Sequence, residues 1–251
     1  MPQMWTVSHR LRWTPILTFG MRRLRLLEWL EKNTSPVAFA DEGEGHIGIS
    51  LVDRSLKLVI GRSHADISSS AADLSIDNLE PALAGLFEVF EPESCVLTAT
   101  DSVWTSEIDS TDYNEERAGL ASAMTGVMGS RAGFRAVDAS ALVDFESMEH
   151  TAQVEFGIID DKELRDRLSD PRMGRISGRR PVYEGLFPEQ VPSVALLADV
   201  ALRRKVGGTV TSAQDVITSA ADEVRTIDSI VSMLVDGQGK GRDSGEHIQT
   251  G

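Results

Sequence analysis

Cysteine is almost missing from this chain of 251 residues, where Cys95 stands alone. A single thiol cannot close an internal disulfide, and no Cys pair is available for a metal or for redox chemistry. Cys95 lies in the apolar run Cys95-Val96-Leu97. A thiol placed there reads as a small core hydrophobe rather than a nucleophile. This cysteine usage suits a reducing compartment, so the expected location is the cytoplasm. Histidine is scarce as well. His9, His46, His64, His150 and His247 lie far apart, with no pair at i+2, i+3 or i+4, so metal-ligand spacing is absent. Long apolar runs are lacking too. Nothing approaches the roughly 20 apolar residues of a membrane span. The patch Ile16 to Phe19 is too short, and too closely followed by Arg22, Arg23 and Arg25, for a secretory signal. No membrane partner is expected.

Glycine-rich chemistry is also wanting. No G-x-G-x-x-G opens a helix after a strand, and no G-x-S-x-G elbow occurs. The stretch Gly237 to Ser244 departs from phosphate-loop spacing and follows a helix rather than a strand. The expectation is therefore no cofactor, no metal and no nucleophile of recognisable type.

Positive charge is short: 25 Lys and Arg against 39 Asp and Glu, a net of -14. Phosphate-rich partners are repelled by such a surface. The charge is segregated, however. Residues 1–40 carry +4, residues 41–170 carry -18, residues 171–205 carry +4 and residues 206–251 carry -4. The plain reading is that the basic blocks meet acidic surface within one fold. The functional reading is a site for an anion or an acidic partner.

What is present is an ordinary globular composition, 41% hydrophobic and 25% charged, with enough material to bury a core. Met4 to Trp13 reads as extended. Met21 to Lys32 carries an apolar stripe at helical spacing through Leu24, Leu27 and Leu30. His46 to Val52 and Leu56 to Ile60 form a hairpin about Asp53-Arg54-Ser55, preceded by a loop at Asp41 to Gly45 and followed by a polar run, Ser68 to Ser70. A helix starts from Asp77 with Glu80 three residues on and buries Leu79, Leu83, Leu86, Phe87 and Phe90. Cys95 to Thr105 reads as a strand, 106–116 as an acidic loop and Arg117 to Met128 as a small helix. Strands are expected at Phe134 to Phe145, Gln153 to Ile159 and Val194 to Leu202, with a short helix at Lys162 to Leu168. The last helix starts at a capping box of Thr211 and Gln214 and carries Val216, Ile217, Ala220, Val224, Ile227, Ile230, Val231 and Leu234 on one stripe.

Short connections between neighbouring strands favour antiparallel pairing. The expected fold is α+β: two loosely similar halves of antiparallel sheet with amphipathic helices packed on one face. The halves are 1–116 and 117–235, followed by a disordered tail, 236–251. No motif names a family.

The favoured site is the glycine-punctuated loop with Arg172, Arg175, Arg179 and Arg180 beside Tyr183. Arginine recognises carboxylate and phosphate through paired hydrogen bonds, so this loop is expected to bind a protein or an anion. The alternative role is a solvated loop paired with the acidic residues 106–116. Acidic pairs such as Asp160-Asp161 and Glu115-Glu116 read as solvated loop charge. With no catalytic motif, and with tryptophans and arginines that suit an interface, the chain reads as a non-enzymatic, intracellular, bacterial protein-binding or assembly component. Its partner would be another protein or a second copy of itself. A second reading is a hydrolase with a His/carboxylate site between the halves, using His46 near Asp41, Glu42 and Glu44, or His64 near Asp66. A third, less favoured, is nucleic-acid binding by the basic segments or nucleic-acid mimicry by the acidic middle.

Overall fold

The computed structural model describes residues 2–34, 37–43, 45–51, 56–70, 80–110, 112–125, 140–169 and 191–243. The strands are β1 (Gln3–Arg12), β2 (Val37–Gly43), β3 (His46–Leu51), β4 (Leu56–Gly61), β5 (His64–Ser70), β6 (Val96–Glu107), β7 (Ser140–Glu146), β8 (His150–Asp160) and β9 (Val194–Arg204). The helices among the described residues are α1 (Phe19–Asn33), α2 (Glu80–Phe90), α3 (Tyr113–Thr125), α4 (Asp161–Ser169) and α5 (Ala213–Asp243). The class is α+β, as expected.

The nine strands among the described residues join one sheet in the order β2-β3-β4-β5-β1-β6-β9-β8-β7. Every pairing is antiparallel. Strands β1 and β6 pair at the centre, with register shifts between Met4 and Thr6 and between Arg10 and Leu11. Strand β6 of residues 1–116 pairs in turn with β9 of residues 117–235, so a single sheet runs through both halves.

One face of the sheet carries the larger core. Leu11, Ile47, Ile49, Leu58, Ile60 and Ile67 point onto α1 and α2, and the start of α5 joins them through Val216, Ile217 and Ala220. Further along the same face, Ala198, Val200 and Leu202 of β9 meet Ile227 and Val231 of α5. The helices α1 and α2 approach closely because position 85 is glycine. A Cβ there would stand 2.5 Å from the Trp29 ring. The opposite face is covered at β9 by α4, whose Leu164 and Leu168 pack on Trp5, Val103, Ile159, Ala195 and Leu197. Helices thus occupy both faces, not one. Residue alternation along β9 explains this, since odd and even positions of a strand serve opposite faces. All nine positions Val194 to Leu202 of that strand are buried.

Several sequence expectations shift by a residue or more. The supposed loop at Asp41 to Gly45 begins as strand β2, and the serines at 68 to 70 complete strand β5. The cap of α5 is Ser212, whose Oγ accepts the Asp215 N–H at 3.2 Å, while Asp215 Oδ2 receives the Thr211 N–H and O–H at 2.9 and 2.8 Å. The cap thus lies one residue beyond the expected Thr211, and Asp215 reaches back to the residue before it and not to the cap itself, as a capping box would. The helix runs on to Asp243, past the expected start of a disordered tail at 236. The hairpin turn at 53–55, the cap at Asp77, and residues 126–139, 170–190 and 244–251 lie outside the described residues.

Candidate functional site

Strand β8 places Val154, Glu155, Phe156, Gly157, Ile158 and Ile159 in the sheet interior. Val154 packs under α5, so Glu155 must face the other way, toward α4. Glu155 is only 4% exposed. Its ladder partner on β9 is Asp199, which is fully buried. Side chains of directly opposed residues lie about 5 Å apart at Cβ, so two carboxyl groups share one patch of the sheet.

The guanidinium that answers Glu155 comes from α4. Asp160 caps that helix, its Oδ1 accepting the Glu163 N–H at 2.7 Å. Leu164 and Leu168 then anchor the helix to the sheet, and Arg167, one residue before Leu168, is carried over β8. Arg167 NH1 lies 3.3 Å from Glu155 Oε1, and Arg167 Nε lies 3.4 Å from Glu163 Oε1. The second oxygen, Glu155 Oε2, is buried and accepts no hydrogen bond among the described residues. From α3, the Tyr113 hydroxyl donates to Glu163 Oε2 at 3.1 Å. The Arg117 guanidinium sits 4.9 Å above the Tyr113 ring. Burial first, and the Glu163 carboxylate second, push the Tyr113 hydroxyl pKa up to about 12. Tyr113 therefore stays a hydrogen-bond donor at physiological pH.

These groups border a cleft of about 70 Å³ lined by Arg117, Glu155, Phe156, Ile158, Glu163 and Arg167, with Ser140 at its rim. In the lining two carboxyl groups, Glu155 and Glu163, face two guanidinium groups, Arg117 and Arg167. The cleft has an apolar floor, a ring of charge, and one buried acceptor awaiting a donor. An unpaired buried carboxylate oxygen is costly, and a donor-bearing group is what relieves it.

The residues favoured from the sequence do not enter this picture. Arg172, Arg175, Arg179, Arg180 and Tyr183 all lie outside the described residues. The histidines of the expected hydrolase site are remote. His46 is on β3 and His64 on β5, separated from β8 by β1, β6 and β9. The His64 ring also packs against Gly61, where a Cβ would come within 2.5 Å of it. Among the described residues no group of three His, Cys, Asp or Glu could hold a metal ion, and no helix is long and apolar enough to cross a membrane.

The tryptophans give a correction. Trp5, Trp13 and Trp104 are buried. Their indole N–H groups are spent inside the fold: Trp5 on Thr105 Oγ1 at 2.7 Å, Trp13 on the Arg62 carbonyl at 3.0 Å and Trp104 on Ser102 Oγ at 2.8 Å. They are core residues, not interface anchors. Arg10 and Arg203, on the sheet face that α4 shares, are likewise engaged by Asp66 at 2.6 Å and Asp101 at 2.5 Å.

No family model matches this chain, and no curated protein matches it. Among solved structures, the chain is similar to a rolling circle replication initiator protein from Geobacillus stearothermophilus, with a TM-score of 0.31 and 10% identity over 89% of this chain and 79% of that one. With Trp5, Trp13 and Trp104 in the core instead of at an interface, the expectation of a non-enzymatic protein-binding component is withdrawn. At that TM-score the likeness itself assigns no function.

Proposed function

We propose that this protein binds a small amine or guanidine in the cleft between β8, α3 and α4, with Glu155 as the group that receives it. The observation that supports this reading is Glu155 Oε2, a buried carboxylate oxygen on the cleft wall with no donor among the described residues. The lining charges balance, Glu155 and Glu163 against Arg117 and Arg167, so the request for a donor comes from Glu155 Oε2 itself. The size favours a single head group, because the cleft holds about 70 Å³. The floor of Ile159 and Leu197, which share the α4 side of the sheet with Glu155, suits a short aliphatic stem beside that head group. Binding of this kind in the cytoplasm accords with a lone, buried cysteine.

Isothermal calorimetry with agmatine tests the reading. Agmatine carries a guanidinium and an ammonium on a four-carbon stem. The expected result is saturable one-to-one binding that weakens as salt screens the charges. A ligand with the opposite charge on a stem of equal length, adipate, is expected not to bind. Equal affinity for both ligands, or none for agmatine, would contradict the proposal.

A further inference from the structure

We infer that the β7 edge is a self-association surface, on which a second copy of this chain lays its own β7 antiparallel, centred on Val143. Strand β7 ends the sheet order and pairs with β8 over its seven residues without a register shift. Its other side pairs with no strand among the described residues. Alternate residues of such an edge point backbone N–H and C=O groups outward, ready for another strand. Of the usual guards of an edge, Ser140 to Glu146 has two acids, Asp144 and Glu146, the second paired with Lys205, but no Pro, no Lys and no bulge. The opposite edge, β2, is interrupted between Phe39 and Asp41.

The occupant follows from self-complementarity. Centring the pair on Val143 overlaps all seven residues of both strands. On the α5 side, Ala141 then opposes Phe145 of the second copy, small against large, and Val143 meets its twin. These three side chains are only half-buried in the single chain, although Phe145 already packs against the core beneath α5. On the other side, Ser140 opposes Glu146, and Leu142, 45% exposed, opposes Asp144. No like charges face each other. Moving the centre by one pleat to Asp144 brings two aspartates together, which disfavours that register. A foreign strand has no such match built in. A single strand pair covers less area than a standard interface, so the dimer is expected to be weak, with a Kd of roughly 10 μM to 1 mM.

Sedimentation equilibrium of the full chain reads the association directly. The mass is expected to rise with concentration from the 27.3 kDa of one chain toward twice that. A chain that stays monomeric up to about 1 mM overturns the inference. Cysteine substitutions then locate the contact. Val143→Cys sets two thiols opposite each other and is expected to give a covalent dimer on mild oxidation. Leu142→Cys faces Asp144 of the second copy and is expected to give far less. Cys95 is buried and does not contribute a background. A dimer in which both variants crosslink equally, or neither does, overturns the β7 assignment. The wild-type measurement needs no variant to fold, and it is independent of ligand binding at Glu155.

Discussion

Glu155 and Asp199 stand directly opposite each other on β8 and β9, both sealed from solvent, and the Arg167 guanidinium reaches Glu155 from α4. A carboxylate in such a poorly hydrated site is costly to leave without its cation. Arg167→Met is therefore expected to destabilise the fold by about 3–5 kcal/mol, the range for breaking a buried pair. Arg10→Met breaks the more exposed pair with Asp66 and is expected to cost no more than about 1 kcal/mol. Urea denaturation of both variants checks this. Equal losses would mean that Glu155 is held by something other than Arg167.

His9 predicts an acid limb of stability. Its Nδ1 bonds Thr100 Oγ1 at 3.0 Å, and burial lowers its pKa from 6.5 to about 4. The folded chain keeps His9 neutral where the unfolded chain takes up a proton. Stability is then complete above pH 6.5 and falls as pH drops toward 4, by about 3 kcal/mol at most. His9→Gln, which can keep the Thr100 bond, is expected to flatten this limb. An unchanged slope between pH 6.5 and 4 would place the proton uptake elsewhere.

Cys95 is expected to be chemically silent in the native state. It is fully buried, and burial pushes its pKa up to about 12. A thiolate is the reactive form, so a thiol reagent at pH 8 should label Cys95 only at the rate of unfolding. Fast labelling of the folded protein would show that the segment around β6 opens locally.

Gly85 is expected to tolerate no side chain. The Trp29 ring occupies the space a Cβ needs, so Gly85→Ala forces α1 away from α2. The gain in helix propensity, about 1 kcal/mol, works against an overpacking cost of about 1–3 kcal/mol. A net loss in melting temperature is predicted, and a rise would mean that the two helices separate freely.

Much of the fold was legible in the sequence because its strands and helices carry their own periodicity. The stripe from Val216 to Leu234 and the apolar run from Val194 to Leu202 each announce one element. Strand β5 was hidden because Ser68 and Ser69 read as loop residues. Ser68 lies on the polar face of the sheet, opposite Lys57 of β4, so nothing apolar marks it. Strand β2 was hidden by the acids and glycine from Asp41 to Gly43. The site was missed for a related reason: charged residues in polar runs drew the attention, and charged residues in apolar runs did not. Glu155 between Val154 and Phe156, and Asp199 as the single charge between Ala195 and Leu202, were the available signals. A lone carboxylate in a strand that is buried on both faces needs a partner, and its partner Arg167 comes from a helix that only the tertiary fold brings near.

Whether Glu155 receives a cationic head group is tested most directly by agmatine affinity in Glu155→Gln. The amide keeps the shape of the carboxylate and removes its charge, so the cleft is preserved. Loss of one charge-assisted hydrogen bond costs about 1.5–3 kcal/mol, which predicts affinity weaker by roughly 10- to 150-fold, with a native circular dichroism spectrum. Glu115→Gln, an exposed change on α3, serves as the control and is expected to bind as the wild type does. Undiminished binding by Glu155→Gln would contradict the account.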